Sequence, residues 1–124
     1  MRLDRAGKPQ GPMISGMGAR GFRVDDGIYP ALAITPLRAD QWMPPAVDAL
    51  AIDDLAPLLV LDPLPEFILL GTGTRMMRPP AALVAALDAR GVGVEFMDSR
   101  AAARAWGVLR AELRWIAAGL YPLG

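Results

Sequence analysis

An α/β fold is predicted for this chain of 124 residues, and three observations predict it. The first is the run Phe67-Ile68-Leu69-Leu70, four bulky apolar residues without alternation, stopped by Gly71-Thr72-Gly73. A short run of that kind reads as a strand buried on both faces, as at the centre of an α/β sheet. The second is an alanine-rich helical stretch after that run, leading into a further strand, so that the three make a crossover unit. The third is a hairpin grammar in the first third of the chain, which adds a β-meander to the amino-terminal side.

Taken in order, residues 1–12 carry Gly7, Pro9, Gly11 and Pro12 and read as a loosely held tail. A single domain is expected over 13–124. Met13-Ile14 begins it, and Gly16, Gly18 and Gly21 exclude a helix. Phe22-Arg23-Val24, Asp25-Asp26-Gly27 and Ile28-Tyr29 form a hairpin pattern, with the positive φ of the turn expected at Asp-Gly. Ala31 to Thr35 is a short strand halted by Pro36.

Residues 36–66 hold core material (Trp42, Val47, Leu50, Ile52, Leu55), but Pro36, Pro44-Pro45, Pro57, Pro63 and Pro65 forbid a long helix. Asp53-Asp54 can start a helical turn. Leu58 to Leu61 reads either as a strand or as the end of that turn.

After the central strand, Pro79-Pro80 opens a helix in which Leu83, Val84 and Leu87 share a face, and Gly91 closes it. Val92 to Met97 is the next strand, with Val92, Val94 and Phe96 on one side. A right-handed crossover then puts the turns after Leu70 and after Met97 on the same sheet edge. Asp98 or Ser99 caps a second helix, whose apolar stripe is read as Ala102, Trp106, Leu109 and Leu113, with Arg100, Arg104 and Arg110 on a polar face. Trp115 to Tyr121 reads as the last strand.

Composition removes whole classes of chemistry. The chain has no Cys and no His, which excludes disulfides, thiolate nucleophiles and imidazole bases. A Ser-His-Asp triad cannot be assembled, and no metal-ligand spacing is evident. Thirteen basic residues balance thirteen acidic ones, so no global charge favours nucleic acid. The amino terminus lacks an apolar signal region, and no stretch approaches the roughly 20 residues of a membrane helix. A cytoplasmic location without membrane insertion is the default expectation.

Several segments are familiar. Pro65-Glu66-Phe67-Ile68-Leu69-Leu70-Gly71-Thr72-Gly73 resembles the opening motif of the Mth938-like family of small α/β domains. Gly91 to Ser99, Ala101 to Leu109 and Leu120-Tyr121-Pro122 resemble its later motifs, Gly21 to Tyr29 its early hairpin and Trp42 its isolated tryptophan. The resemblance runs in order over roughly residues 13–123. It implies a three-layer fold around a mixed central sheet, with the final strand antiparallel to the others. It also implies no settled catalytic activity, and relatives that include a mitochondrial complex I assembly factor. The chain departs from the family pattern at Ala103, Ala105 and Gly107, where Cys, Thr and Asn are usual, and at Ser99, where Thr is usual.

The candidate site joins the two same-edge turns: Gly71, Thr72, Gly73, Arg75, Met76 and Met77 from one, Asp98, Ser99, Arg100 and Arg104 from the other. The glycine-turn amides suit an anion-binding nest, helped by the helix N-terminus and by arginines, Arg78 among them. The alternative is a sharp turn with solvated arginines. Met76-Met77 suits adaptable protein contact or core filling under the loop. Glu95 beside Arg104 reads as a structural ion pair.

A dinucleotide fingerprint is incomplete, with Met76 at the third glycine position, and Walker A is absent, so no cofactor is expected. The resulting expectation is a non-catalytic module that binds a protein partner. The competing one is an enzyme or sensor that takes a small anion at the same edge.

Overall fold

The central sheet is built around the unbroken apolar run at 67–70. The computed structural model describes residues 11–124. Three strands, β1 (Ile14–Gly18), β2 (Gly21–Val24) and β3 (Gly27–Tyr29), form an antiparallel meander. Five more come after them: β4 (Leu32–Ile34), β5 (Ala39–Gln41), β6 (Phe67–Gly71), β7 (Gly93–Met97) and β8 (Ala117–Leu120). They make a mixed sheet in the order β5-β4-β8-β6-β7. Helix α1 (Ala81–Asp88) connects β6 to β7, and α2 (Ser99–Ala111) connects β7 to β8. Two 3-10 helices, Val47–Ala49 and Ile52–Leu58, fill the proline-rich middle.

The sheet is covered on both faces, which gives the three expected layers. Strand alternation sends Ile68 and Leu70 to one side and Leu69 to the other. Ile68 and Leu70 pack with Leu83 and Leu87 of α1 and with Leu55 and Leu58 of the longer 3-10 helix. Leu69 packs with Ala102 and Trp106 of α2 and with Phe22 and Val24 of the meander. Leu69 and Leu70 are each 1% exposed, and complete burial of such a side chain contributes about 1.5–3 kcal/mol. This two-sided burial is why the run carries no polar alternation.

The strand–helix–strand unit forms with its two strands parallel. Pro80 is the N-cap of α1, and Gly91 beyond its end takes φ 78°, the left-handed conformation glycine adopts without strain. β6 and β7 are parallel. The middle segment forms a helical turn from Ile52, with the Asp54 carboxylate accepting from the Ala51 amide at 2.9 Å. Leu58 ends that helix, so the stretch to Leu61 is not a strand.

Five expectations need correction. β8 runs parallel to β6 and antiparallel only to β4. The reversed strand within the group β4-β8-β6-β7 is therefore β4, because α2 returns the chain to the starting edge before β8. In the β2–β3 turn the positive φ falls on Asp25, at 51°, and Gly27 is already the first residue of β3. Arg110 is not on a polar face: it is buried, and its Nη1 donates to the Arg114 carbonyl at 2.6 Å. Leu113 lies beyond the end of α2 at φ 61° and is 55% exposed, so Arg110 replaces it in the buried stripe. Finally, Glu95 is exposed and makes no ion pair with Arg104; its charge acts on Arg114.

The expected tail at 1–12 lies outside the described residues except for Gly11 and Pro12. Pro12 is buried, and its carbonyl accepts from the Trp106 indole at 3.3 Å.

Candidate functional site

Parallel β6 and β7 deliver both turns to one edge, and hydrogen bonds join them. The Thr72 amide donates to the Met97 carbonyl, and the Ser99 amide to the Gly73 carbonyl, each at 2.8 Å. The Gly73 amide donates to the Ser99 hydroxyl at 2.8 Å, and that hydroxyl donates to the Tyr121 carbonyl at 2.8 Å. The Tyr121 amide closes the circuit on the Gly71 carbonyl. β6, the start of α2 and the end of β8 are thus tied through one buried serine.

The two glycines have separate reasons. A Cβ at Gly71 would lie 2.7 Å from Leu120 Cδ2 and 2.9 Å from both Ser99 Cα and Ser99 Oγ, so only glycine lets α2 approach this closely. Gly73 takes φ 104°, which other residues rarely adopt. Thr72 is buried and shapes the loop beyond: its Oγ1 accepts from the Met77 amide at 2.9 Å and lies 2.7 Å from the Arg75 carbonyl and 3.1 Å from the Met97 carbonyl.

These bonds decide what the edge can do. The Thr72 and Gly73 amides, read as an anion nest, are spent on protein carbonyl and hydroxyl groups. The Ser99 hydroxyl is fully buried and engaged on both sides. Asp98 caps α2, its Oδ1 accepting from the Ala101 amide at 2.9 Å, so a carboxylate already occupies the positive end of the helix. The edge offers an incoming anion little beyond its surface arginines.

Those arginines do not converge. Arg78 turns onto the Phe96 ring, 5.5 Å from its centroid, on the α1 side of the sheet. Arg104 lies on the α2 side, lining a cleft of about 490 Å³ with Ile14, Met17 and Val108. Arg75 and Arg100 are exposed near the joined turns. Met76 is 61% exposed, whereas Met77 is partly buried against the α1-side core. Met77 thus fills core space under the loop, while the Met76 side chain stands in solvent.

The positions that depart from the family pattern have clear surroundings. Ala103 is buried against the α2-side core, Ala105 packs on it, and Gly107 borders the Arg104 cleft. Sequence reasoning missed Tyr121 as a member of this edge. Its ring meets Trp42 edge-on at 5.3 Å, and its hydroxyl donates to the Pro45 carbonyl at 2.7 Å. Burial, with Asp54 and Asp48 nearby, pushes that phenol up to about 12. The closing Leu120-Tyr121-Pro122 motif was the signal available for it.

Comparison with known proteins agrees with this architecture. A family model described as a protein of unknown function (DUF498/DUF598) matches residues 14–121. The NADH dehydrogenase [ubiquinone] 1 alpha subcomplex assembly factor 3 of Danio rerio is 30% identical over 113 residues, covering 90% of this chain and 65% of that protein. This chain thus spans less than two thirds of the length of that assembly factor. An uncharacterised protein of Rhodobacter capsulatus is 32% identical, covering 89% of this chain and 84% of its own. Among solved structures, one described as an outer membrane protein from Bartonella henselae has a TM-score of 0.82 at 26% identity, covering 94% of this chain and 98% of that one. A Mth938-like domain from Bordetella pertussis has a TM-score of 0.78 at 25% identity, covering 100% and 91%. Among the described residues, no helix is long and apolar enough to cross a membrane.

Proposed function

The chain belongs to the DUF498/DUF598 family, and from that premise we propose that it is a non-catalytic protein-binding module with an assembly-factor role. The observation that carries this reading is the state of the joined turns. The polar groups that would hold a ligand there are consumed internally, while Arg75, Met76 and Arg100 are exposed around them. A rigid edge presenting a flexible thioether and long cations suits a protein surface better than a reaction. The assembly-factor name carried by the Danio rerio relative supports the same class, and extends it to respiratory or other membrane complexes as the partner, met from the cytoplasm.

The test is deletion in the source cell, with respiratory complexes resolved on native gels. The reading expects less fully assembled NADH dehydrogenase, restored by the wild-type chain and not by a Met76→Asp, Arg100→Ala double variant that melts normally. Normal assembly in the deletion strain, or full rescue by the double variant, would refute this assignment.

A further inference from the structure

β7 ends the five-stranded sheet, and no strand among the described residues pairs with its outer side. The hydrogen bonds fix which residues face outward. The Gly93 amide donates to the Glu66 carbonyl and the Met97 carbonyl accepts from Thr72, so the odd residues of β7 point their backbone toward β6. Val94 and Phe96 therefore direct their amides and carbonyls away from the sheet. Their side chains pack on the α1 side and form one wall of an open cleft of about 430 Å³. The other wall is α1, through Ala81, Val84 and Ala85.

Helix α1 is itself unusual. Its sequence, Ala-Ala-Leu-Val-Ala-Ala-Leu-Asp, has no charged residue before Asp88, although only Leu83 and Leu87 are buried. A helix apolar all round is normally covered on every side. An apolar helix flank beside an unpaired strand edge is the surface that a further strand would use.

The charges at the ends of this cleft indicate what covers it. Arg78 sits over Phe96 at the carboxyl end of β7, and Asp88 lies where α1 returns toward its amino end. A two-fold axis beside β7 would set each Arg78 end against the partner's Asp88 end. The cleft is thus complementary to itself, as an isologous interface requires. It also lacks the surplus of one charge that would select a strongly acidic or basic peptide.

We propose that β7 pairs antiparallel with β7 of a second copy of this chain, giving one continuous sheet across both copies with the two α1 helices side by side. Pairing Val94 with Val94 of the partner subunit sets Glu95 opposite a glycine. A shift of one residue would instead oppose two glutamates, which is unfavourable.

Sedimentation equilibrium of the intact chain tests this, with circular dichroism and melting to verify folding. The wild type is expected to reach twice the chain mass as concentration rises. Val94→Pro removes an outward amide and leaves the β6 ladder untouched, because proline is tolerated at an edge. It should weaken the dimer about tenfold or more. Val84→Glu, on the helix flank, should weaken it as well. Arg78→Asp and Asp88→Arg should each weaken it, and the double exchange should restore it. A chain that stays monomeric into the millimolar range overturns the proposal. So does a dimer that Val94→Pro and Val84→Glu leave intact, or an edge that pairs only with an added extended peptide.

Discussion

The Gly73 amide donates to the buried Ser99 hydroxyl at 2.8 Å, a side-chain contact among the hydrogen bonds that join the two turns the sequence singles out. Since the same hydroxyl donates to the Tyr121 carbonyl, removing it orphans a buried donor and a buried acceptor together. Each such group costs about 1–3 kcal/mol. Ser99→Ala is therefore expected to destabilise the chain by about 2–3 kcal/mol, lowering Tm by roughly 10 °C in a scanning melt. A change of only a degree or two would mean that water or backbone adjustment satisfies both groups.

Gly71→Ala tests the close approach of α2. The added methyl meets the Leu120 side chain at 2.7 Å and the Ser99 backbone at 2.9 Å. Leu120 is fully buried and the helix backbone cannot retreat without breaking the Ser99 circuit. Overpacking of this kind costs about 1–3 kcal/mol. Urea denaturation should show a lower midpoint with an unchanged slope.

Asp98→Ala removes the N-cap of α2, and with it the acceptor for the Ala101 amide. A loss of about 1 kcal/mol is expected. Asp98→Asn keeps the acceptor but not the charge, so its smaller loss in the same denaturation series measures the charge contribution separately.

How far the sequence could be read depended on where the deciding interactions lie. The β6–α1–β7 unit was legible because local signals agree there: an unbroken apolar run, prolines at a helix start, and a glycine with positive φ at its end. β5 was not. Ala39-Asp40-Gln41 has low strand propensity and is held in the sheet by pairing with Leu32–Ile34. Residue type alone puts Arg110 on a polar face. Its position four residues after Trp106 puts it on the buried stripe, and only the chain's turn at Leu113 shows that the stripe ends there. The edge location of the site was readable from the parallel crossover. That its amides are already engaged was not, since their partners, Ser99 and Met97, lie some 25 residues away.

The Tyr121 phenol makes stability depend on alkaline pH. Its folded value is about 12, raised by burial and then by Asp54 and Asp48, against an ordinary value of 10.0. Above pH 10 the unfolded chain gives up this proton while the folded chain still holds it, so the folded state binds more protons and stability falls as pH rises. The contribution is complete below pH 10 and is lost between pH 10 and about 12. Tyr121→Phe should lower stability near neutrality, because the hydroxyl's bond to the Pro45 carbonyl at 2.7 Å is gone. It should also flatten the alkaline decline. Chemical denaturation at pH 8, 10 and 11 separates the two effects: the curves for wild type and variant should converge as pH rises. Parallel curves would mean that Tyr121 ionises as readily in the folded chain as in the unfolded one, and that its contact with Trp42 does not keep the phenol from water.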